Sequence, residues 1–177
     1  MWKKIASKIL LDHPRLKVLE DEVELPNGHI TKYLKFDSGG NAVTVLAVNE
    51  EGKILLQKEY SYPPNEDLYQ FPGGFVPNGE ELSEGANREL MEEADLKANN
   101  LVELGSYYMN NRKSDSKMYV YVGSDLQAET LPGNLEEDIT SYWFSEEEIE
   151  ELIKKGEIKN YTVLAAWCLY KLKQKLS

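Results

Sequence analysis

A cluster of carboxylates between residues 88 and 96 is the part of this chain best suited to chemistry. The segment reads Arg-Glu-Leu-Met-Glu-Glu-Ala-Asp-Leu. In a helix, Glu89 lies three and four residues before Glu92 and Glu93, so all three carboxylates project from one side within about one turn. Like charges at that spacing repel one another unless a counter-ion relieves them. Divalent cations that prefer oxygen ligands would do so, and could hold phosphate oxygens in their open coordination positions.

The residues before this cluster predict a turn and an ion pair. Gly73 and Gly74 allow tight backbone turning and could direct a main-chain carbonyl toward the same metal. We expect Arg88 to point to a different face from Glu89 and to pair with Glu80 or Glu84, which would fix the loop against the helix. A glutamate-rich helix alone is usually a solvated surface, so the interpretation depends on the whole pattern.

The charge balance limits the possible partners. The chain has 177 residues, and its 31 acidic and 20 basic residues give a net charge of -11. Such a chain would repel a nucleic-acid polymer. It would also repel a small phosphorylated substrate unless divalent cations bridge carboxylates to phosphate oxygens.

Other catalytic groups are scarce. His13 and His29 lie far apart in sequence and far from the acidic clusters, and the single cysteine, Cys168, is expected to be a buried, inert thiol. No run of about 18 apolar residues occurs, and lysines interrupt the N-terminal segment. We therefore expect carboxylate chemistry, no membrane partner and a cytoplasmic location.

The remaining elements indicate an α+β fold. Residues 16–36 read as a hairpin around the turn at Gly28, and Ser38 to Gly40 marks a candidate boundary between residues 1–38 and 39–177. Helices are predicted from an N-cap at Ser83, from Ser145 with a capping box to Glu148, and over residues 162–176. Further strands are predicted at 42–48, 53–60, 68–71, 101–109, 117–122 and 139–144. This irregular order favours helices packed on mixed sheets.

The acidic pattern is similar to the signature of the Nudix hydrolase family. The matching residues are Gly74, Glu80, Arg88, Glu89, Leu90, Glu92, Glu93 and Leu96. The family usually has glycine where this chain has Asp95, and aspartate tolerates the left-handed backbone expected there. The resemblance implies an α/β/α sandwich around a mixed β-sheet, with a small N-terminal β-sheet extension.

The resemblance also implies a metal site. Glu89 and Glu93 would be the principal ligands of Mg²⁺, or of Mn²⁺ in its place, with Glu92 supporting them and the Gly73 carbonyl completing the site. Gly74, Glu80 and Arg88 would have structural roles.

Outside the signature, the chain resembles the branch that hydrolyses ADP-ribose and nucleotide sugars. Such an enzyme would cut the diphosphate linkage of ADP-ribose or another nucleoside diphosphate sugar into a nucleoside monophosphate and a sugar phosphate. In that branch a glutamate on a late loop binds metal or acts as the base. Glu137 is preferred here, with Glu136 and Glu92 as alternatives. The branch further implies a homodimer formed through the N-terminal sheet.

Two departures leave the substrate open. Glu59, Tyr60 and Ser61 stand where the branch often has Gln-Tyr-Arg, and Gln70 stands where it often has glutamate. Candidate substrate contacts are Tyr60, Tyr62, Gln70 and Arg112. One alternative function is a house-cleaning nucleoside triphosphate pyrophosphatase. Another is a non-catalytic nucleotide-binding regulator, which would be expected to lack some of the signature carboxylates, and none is missing.

Overall fold

The computed structural model of the chain describes residues 1–37, 39–133 and 138–174. Within these ranges it contains ten strands and three helices. In chain order they are β1 Lys3–His13, β2 Leu16–Glu24, β3 Ile30–Asp37, β4 Gly40–Ala47, β5 Ile54–Ser61, β6 Glu66–Gln70, β7 Phe75–Pro77, α1 Leu82–Ala94, β8 Leu96–Tyr108, β9 Lys117–Ala128, β10 Ile139–Phe144, α2 Glu146–Lys154 and α3 Tyr161–Gln174.

A mixed sheet in the order β7-β4-β9-β8 forms the centre of the fold. Strands β4 and β9 run parallel, whereas β7 and β8 are antiparallel to their neighbours. Residues 42–47 of β4 are all buried. Such a continuous apolar run is expected when both faces of a strand are covered. A second, antiparallel sheet, β10-β5-β6, lies beside it, and Leu55 of β5 packs in the same core as Val45 of β4.

Helices cover both faces of these sheets. Ala86 and Leu90 of α1 pack on one side, against Val43 and Val45. On the other side α2 lies next to β10, and α3 lies next to β6, β8 and β9, with a core that contains Leu46, Ile54, Leu56, Ile149, Val163 and Ala166. The result is the three-layer α/β/α arrangement around a mixed sheet that the sequence predicted.

Helix α1 begins two residues earlier than a serine cap would allow. Its N-cap is Glu81, whose side chain makes no capping hydrogen bond, and the predicted cap at Ser83 is wrong. Leu82 already packs against the core beneath α1, so Ser83 falls inside the first turn. The helix ends as predicted, because Asp95 has a left-handed backbone with φ of 55° and its N–H bonds the Leu90 carbonyl.

The N-terminal sheet has three strands in the order β1-β2-β3, one more than the predicted hairpin. Strands β2 and β3 surround a turn in which Gly28 has φ of 80°, as expected. Strand β1 was missed because all of its residues are exposed in the single chain, so no alternation of buried and exposed positions marks it. Its exposed large apolar residues include Ile5, Ile9, Leu10 and Leu11.

The C-terminal helices confirm one prediction and correct another. Ser145 and Glu148 form the predicted capping box at the start of α2. Cys168, expected to be buried, is exposed. The buried stripe of α3 consists of Val163, Ala166, Trp167 and Tyr170, and position 168 lies outside that spacing. Among the described helices, none has the length and apolar character needed to cross a membrane.

Candidate active site

A glycine turn formed by residues 72–74 connects β6 to β7 and lies directly against β4. Val45 donates its backbone N–H to the Pro72 carbonyl at 2.8 Å, and Val43 donates to the Gly74 carbonyl at 2.9 Å. Gly73 has φ of 155°, and a Cβ at this position would lie 2.2 Å from the Val43 carbonyl oxygen. Only glycine fits such a close approach of two backbones. The turn is therefore fixed on the central sheet.

Two carboxylates of α1 reach this turn from consecutive turns of the helix. A carboxylate oxygen of Glu93, Oε2, accepts a hydrogen bond from the Gly73 N–H at 3.1 Å. The Glu89 carboxylate lies so near Gly74 that a Cβ there would be 2.4 Å from its Oε2 atom. Glu89 is buried, with 8% of its surface exposed. The structure thus brings together Gly73, Gly74, Glu89 and Glu93 as the sequence predicted.

Arg88 holds the acidic residues around it. Its Nε donates to Glu80 Oε1 at 2.9 Å, which confirms the predicted pair, and its Nη1 donates to Glu89 at 2.7 Å and Glu92 at 3.0 Å. The expectation that Arg88 points away from Glu89 was wrong, because the guanidinium presents donors on several sides and turns back along the helix. Its Nη2 also donates to the Phe75 carbonyl at 3.0 Å. The hydrogen bond to Glu80 raises the pKa of Arg88, so this cation is permanent.

The residues around the glycine turn have the chemistry of a site for a hard divalent cation. Glu89, Glu92 and Glu93 could supply carboxylate oxygens and Gly73 could supply a carbonyl, which are the donors that Mg²⁺ and Mn²⁺ prefer. The missing Cβ of Gly74 is what leaves room for the Glu89 carboxylate. Across the described ranges, no three acidic, histidine or cysteine side chains form a ready-made metal cluster. A metal ion would therefore compete with Arg88 for Glu89 and Glu92.

Polar residues of β5 and β6 line the same side of the fold. The buried Gln57 donates through Nε2 to the Glu93 backbone carbonyl at 3.0 Å. Two residues further along β5, Glu59 accepts a hydrogen bond from Gln70 Nε2 at 2.7 Å. Glu59 and Gln70 belong to the two departures from the branch pattern, in which Ser61 also replaces an arginine. Relative to that pattern an amide and a carboxylate have exchanged strands, and here they bond to each other. Gln57 was not among the predicted site residues, although a polar residue directly after the apolar run of β5 was a usable signal.

The other predicted substrate contacts lie elsewhere. Tyr60 is three residues from Gln57 and faces the opposite side of β5, where its hydroxyl donates to Asn65 Oδ1 at 2.9 Å. Tyr62 is 83% exposed. Arg112 lies in the loop between β8 and β9, and its carbonyl accepts a hydrogen bond from the Tyr33 hydroxyl of β3 at 2.6 Å. Of the four predicted substrate contacts, Gln70 is the one on this side of the fold. It bonds Glu59, which lies two residues from Gln57 along β5.

Glu136 and Glu137 lie outside the described residues, but the chain before them follows α1. Glu129 donates its N–H to the Asp95 carbonyl at 3.2 Å, and Leu131 donates to the Met91 carbonyl at 3.3 Å. A Cβ on Gly133 would lie 2.9 Å from the Glu92 carbonyl oxygen. Residues 129–133 therefore run along the C-terminal turn of the helix that carries the acidic cluster.

Comparison with known proteins identifies the family. Residues 40–167 match the family model described as NUDIX domain. The chain belongs to the Nudix hydrolase family. Residues 2–33 match a second model, described as nucleoside diphosphate sugar hydrolase N-terminal domain. Both matches agree with the resemblance found in the sequence, and the Nudix domain contains all the residues of the acidic cluster.

Named relatives support an enzyme. The chain is 32% identical to the ADP-ribose pyrophosphatase of Bacillus subtilis (strain 168), over 77% of this chain and 73% of that protein. It is 29% identical to the methanol dehydrogenase activator of Bacillus methanolicus, with the same shares covered. A crystal structure of an ADP compounds hydrolase superposes with a TM-score of 0.89 at 23% identity, over 98% of this chain and 94% of that one, which confirms the fold. The chain is a Nudix pyrophosphohydrolase.

Replacing Arg88 with an uncharged side chain should lower the stability of the metal-free protein. We expect Arg88→Met to reduce the free energy of unfolding by about 2 kcal/mol, less than the ~3–5 kcal/mol for a fully buried pair because Arg88 is partly exposed. Urea titration in EDTA measures this change. Arg112→Met, the same substitution at an exposed loop position, should stay within about 0.5 kcal/mol of the unmodified chain. Equal stabilities for the two variants would contradict the role assigned to Arg88.

Proposed function

We propose that this Nudix enzyme hydrolyses the diphosphate linkage of ADP-ribose or another nucleoside diphosphate sugar. The products would be a nucleoside monophosphate and a sugar phosphate. The observation that carries the proposal is the approach of two helix carboxylates to the glycine turn, Glu93 at Gly73 and Glu89 at Gly74. The ADP-ribose pyrophosphatase among the relatives and the ADP compounds hydrolase among solved structures support this substrate class.

In this proposal Glu89 and Glu93, with Glu92 and the Gly73 carbonyl, hold Mg²⁺, and Mn²⁺ can replace it. The chemistry that a bound metal would supply is neutralisation of the diphosphate charge and activation of a water for in-line attack on phosphorus. Arg88 and Glu80 keep the loop and the helix together, so that the four donors stay near the glycine turn. The net charge of -11 supports a role for a cation, because the protein alone would repel the substrate.

Glu137 is the proposed metal ligand or general base, in preference to Glu136 and Glu92. The support comes from the described residues on both sides of it. Residues 129–133 follow the end of α1, and Ile139 pairs with Glu59 in the sheet. Only residues 134–138 separate these two anchors, and each residue spans at most about 3.6 Å. These described residues on either side support the choice of this loop for the late glutamate.

Gln70 is the proposed substrate contact that the geometry supports best. Its bond to Glu59 joins an amide and a carboxylate, which together can recognise hydroxyl and amino groups of a nucleoside or sugar. Tyr60, Tyr62 and Arg112 stay predictions. The position of Arg112 beside β3 favours a contact near a subunit interface over one at the glycine turn.

The proposed assembly is a homodimer through the N-terminal sheet, which we take as residues 1–38, with the Nudix hydrolase domain at 39–177. Support comes from the exposed apolar residues of this sheet. Besides those of β1 they include Trp2, Leu16, Ile30, Leu34 and Phe36. An apolar surface of this extent is typical of a protein interface. A cytoplasmic location stays a prediction.

A hydrolysis screen tests the function. We expect Mg²⁺-dependent release of a nucleoside monophosphate and a sugar phosphate from ADP-ribose or a nucleotide sugar, with product identity followed by chromatography. Glu93→Gln should lower kcat/KM by more than about 100-fold, beyond the range of residues that only support a ligand. Glu84→Gln, in the exposed first turn of the same helix, should leave kcat/KM unchanged. Glu137→Gln should lower kcat more than Glu136→Gln.

The outcomes of this screen separate the alternatives. Activity of Glu93→Gln equal to that of the unmodified enzyme would contradict the metal site. Release of pyrophosphate from nucleoside triphosphates, with no turnover of diphosphate sugars, would favour the house-cleaning function. Absence of turnover on every substrate would favour a regulator, a possibility that the methanol dehydrogenase activator among the relatives keeps open.

The dimer has its own test. Sedimentation equilibrium should give twice the 20.2 kDa mass of the chain. Leu34→Glu, in the exposed face of β3, should shift the protein toward the monomer because it adds a charge to the proposed interface. Leu172→Glu makes the same change in α3 at a similarly exposed position, 54% against 46%, and should leave the mass unchanged. A monomeric unmodified protein, or equal effects of the two variants, would refute the proposed interface.

A further inference from the structure

Gln57 is a fully buried polar side chain, with 0% exposure, in the middle of β5. Its neighbour Leu56 faces the core beneath α2 and α3, so Gln57 faces the opposite side, toward α1. In the antiparallel register Gln57 lies opposite Gln70 on β6 and Ser141 on β10. The side chain therefore sits where α1 meets the sheet that follows the late acidic loop.

The amide of Gln57 bonds the last turn of α1. Its Nε2 donates to the Glu93 carbonyl at 3.0 Å and approaches Ser141 Oγ at 3.5 Å. The last four carbonyls of a helix have no partner within the helix and need donors from outside. Asp95 and Leu131 supply backbone donors to the Leu90 and Met91 carbonyls. Gln57 is the side chain that serves the carbonyl of Glu93.

The oxygen of the same amide shows that a contribution to stability does not by itself explain why a glutamine stands at position 57. Gln57 Oε1 is buried and has no hydrogen-bond partner within the part of the chain that the structure describes. Rotating the amide would not help, because Oε1 would then face the Glu93 carbonyl, and two acceptors repel. A buried acceptor without a donor costs free energy, and an apolar residue of similar volume would avoid that cost.

We propose that Gln57 is a positioning residue that holds Glu93 in register with the glycine turn. Gln57 fixes the backbone of Glu93 to β5, while the carboxylate of the same residue accepts from Gly73. Glu93 is thus fixed through both its backbone carbonyl and its carboxylate, so the distance between the carboxylate and the turn stays constant. The inference rests on the proposed role of Glu93 as a metal ligand. Without Gln57, the last turn of α1 moves more freely and the affinity for the metal falls.

The test is a titration with Mn²⁺ alone, in which electron paramagnetic resonance measures the free ion. Gln57→Met keeps the volume but removes the amide, and should raise the Kd for Mn²⁺ by about 10–100-fold, as expected for groups that orient metal ligands. It should also lower kcat more than it changes KM. Gln57→Asn keeps the amide but shortens the side chain by one methylene, so it should also weaken Mn²⁺ binding. It provides a second measurement if Gln57→Met does not fold.

Leu56→Ala is the matched control for loss of stability. It truncates the neighbouring, equally buried residue of β5 on the side away from α1, so it should lower the melting temperature and leave the Kd unchanged. Wild-type Mn²⁺ affinity in both Gln57 variants would overturn the inference, and so would equal weakening in Leu56→Ala. If the unmodified protein bound no Mn²⁺, the proposed function itself would fail, and the inference with it.

Discussion

The contact between the glycine turn and helix α1 constrains most of the structure. Gly73 lies so close to the backbone of β4 that no side chain fits, and Gly74 leaves the space that the Glu89 carboxylate occupies. The turn must therefore be held firmly on the central sheet, and α1 must cross the turn at a fixed distance from its backbone. The core beneath α1, the bonds of Arg88 to Glu80 and Phe75, and the bond from Gln57 all serve that arrangement.

The charges on α1 explain why several hydrogen bonds and a packed core are needed to hold the helix at the glycine turn. Glu89, Glu92 and Glu93 lie within about one turn of the same helix on a chain that is already strongly acidic, so their mutual repulsion destabilises α1 and the placement of its carboxylates at the turn. Arg88 offsets part of this repulsion by bonding Glu89 and Glu92, and the Gly73 N–H bonds Glu93. A divalent cation bound by the same oxygens would offset more of it and at the same time attract a diphosphate. Stability and catalysis thus depend on the same few charges.

The sequence predicted the parts of the site that local spacing determines. Three glutamates at helical spacing, two glycines and a left-handed Asp95 are short-range features. The structure has Glu89 and Glu93 at the two glycines and Asp95 in a left-handed conformation, whereas Glu92 bonds Arg88. The capping box of α2 was equally local. The family and its α/β/α fold followed from the signature, because its residue types and spacings together are rarely met by chance.

Features that depend on tertiary packing were missed or mistaken. Whether Cys168 is buried depends on which side of α3 faces the sheet. The position of the α1 N-cap depends on the packing of Leu82 against the core. Strand β1 has no buried face in the single chain, and the exchange of Glu59 with Gln70 becomes visible only when β5 and β6 are paired. Gln57 belongs to the same class, since its role needs α1 and β5 in contact.

The most direct test of the account is the Mn²⁺ affinity of Gly74→Ala. The added Cβ would meet the Glu89 carboxylate at 2.4–2.8 Å, so the account predicts a rise in Kd of at least about tenfold in a folded protein. Gly123→Ala, where the Cβ meets the side chains of Ala98 and Val45 and no carboxylate, should bind Mn²⁺ as the unmodified enzyme does. If Gly74→Ala bound Mn²⁺ with unchanged affinity, the metal would not lie where Glu89 meets the glycine turn, and the central claim would be wrong.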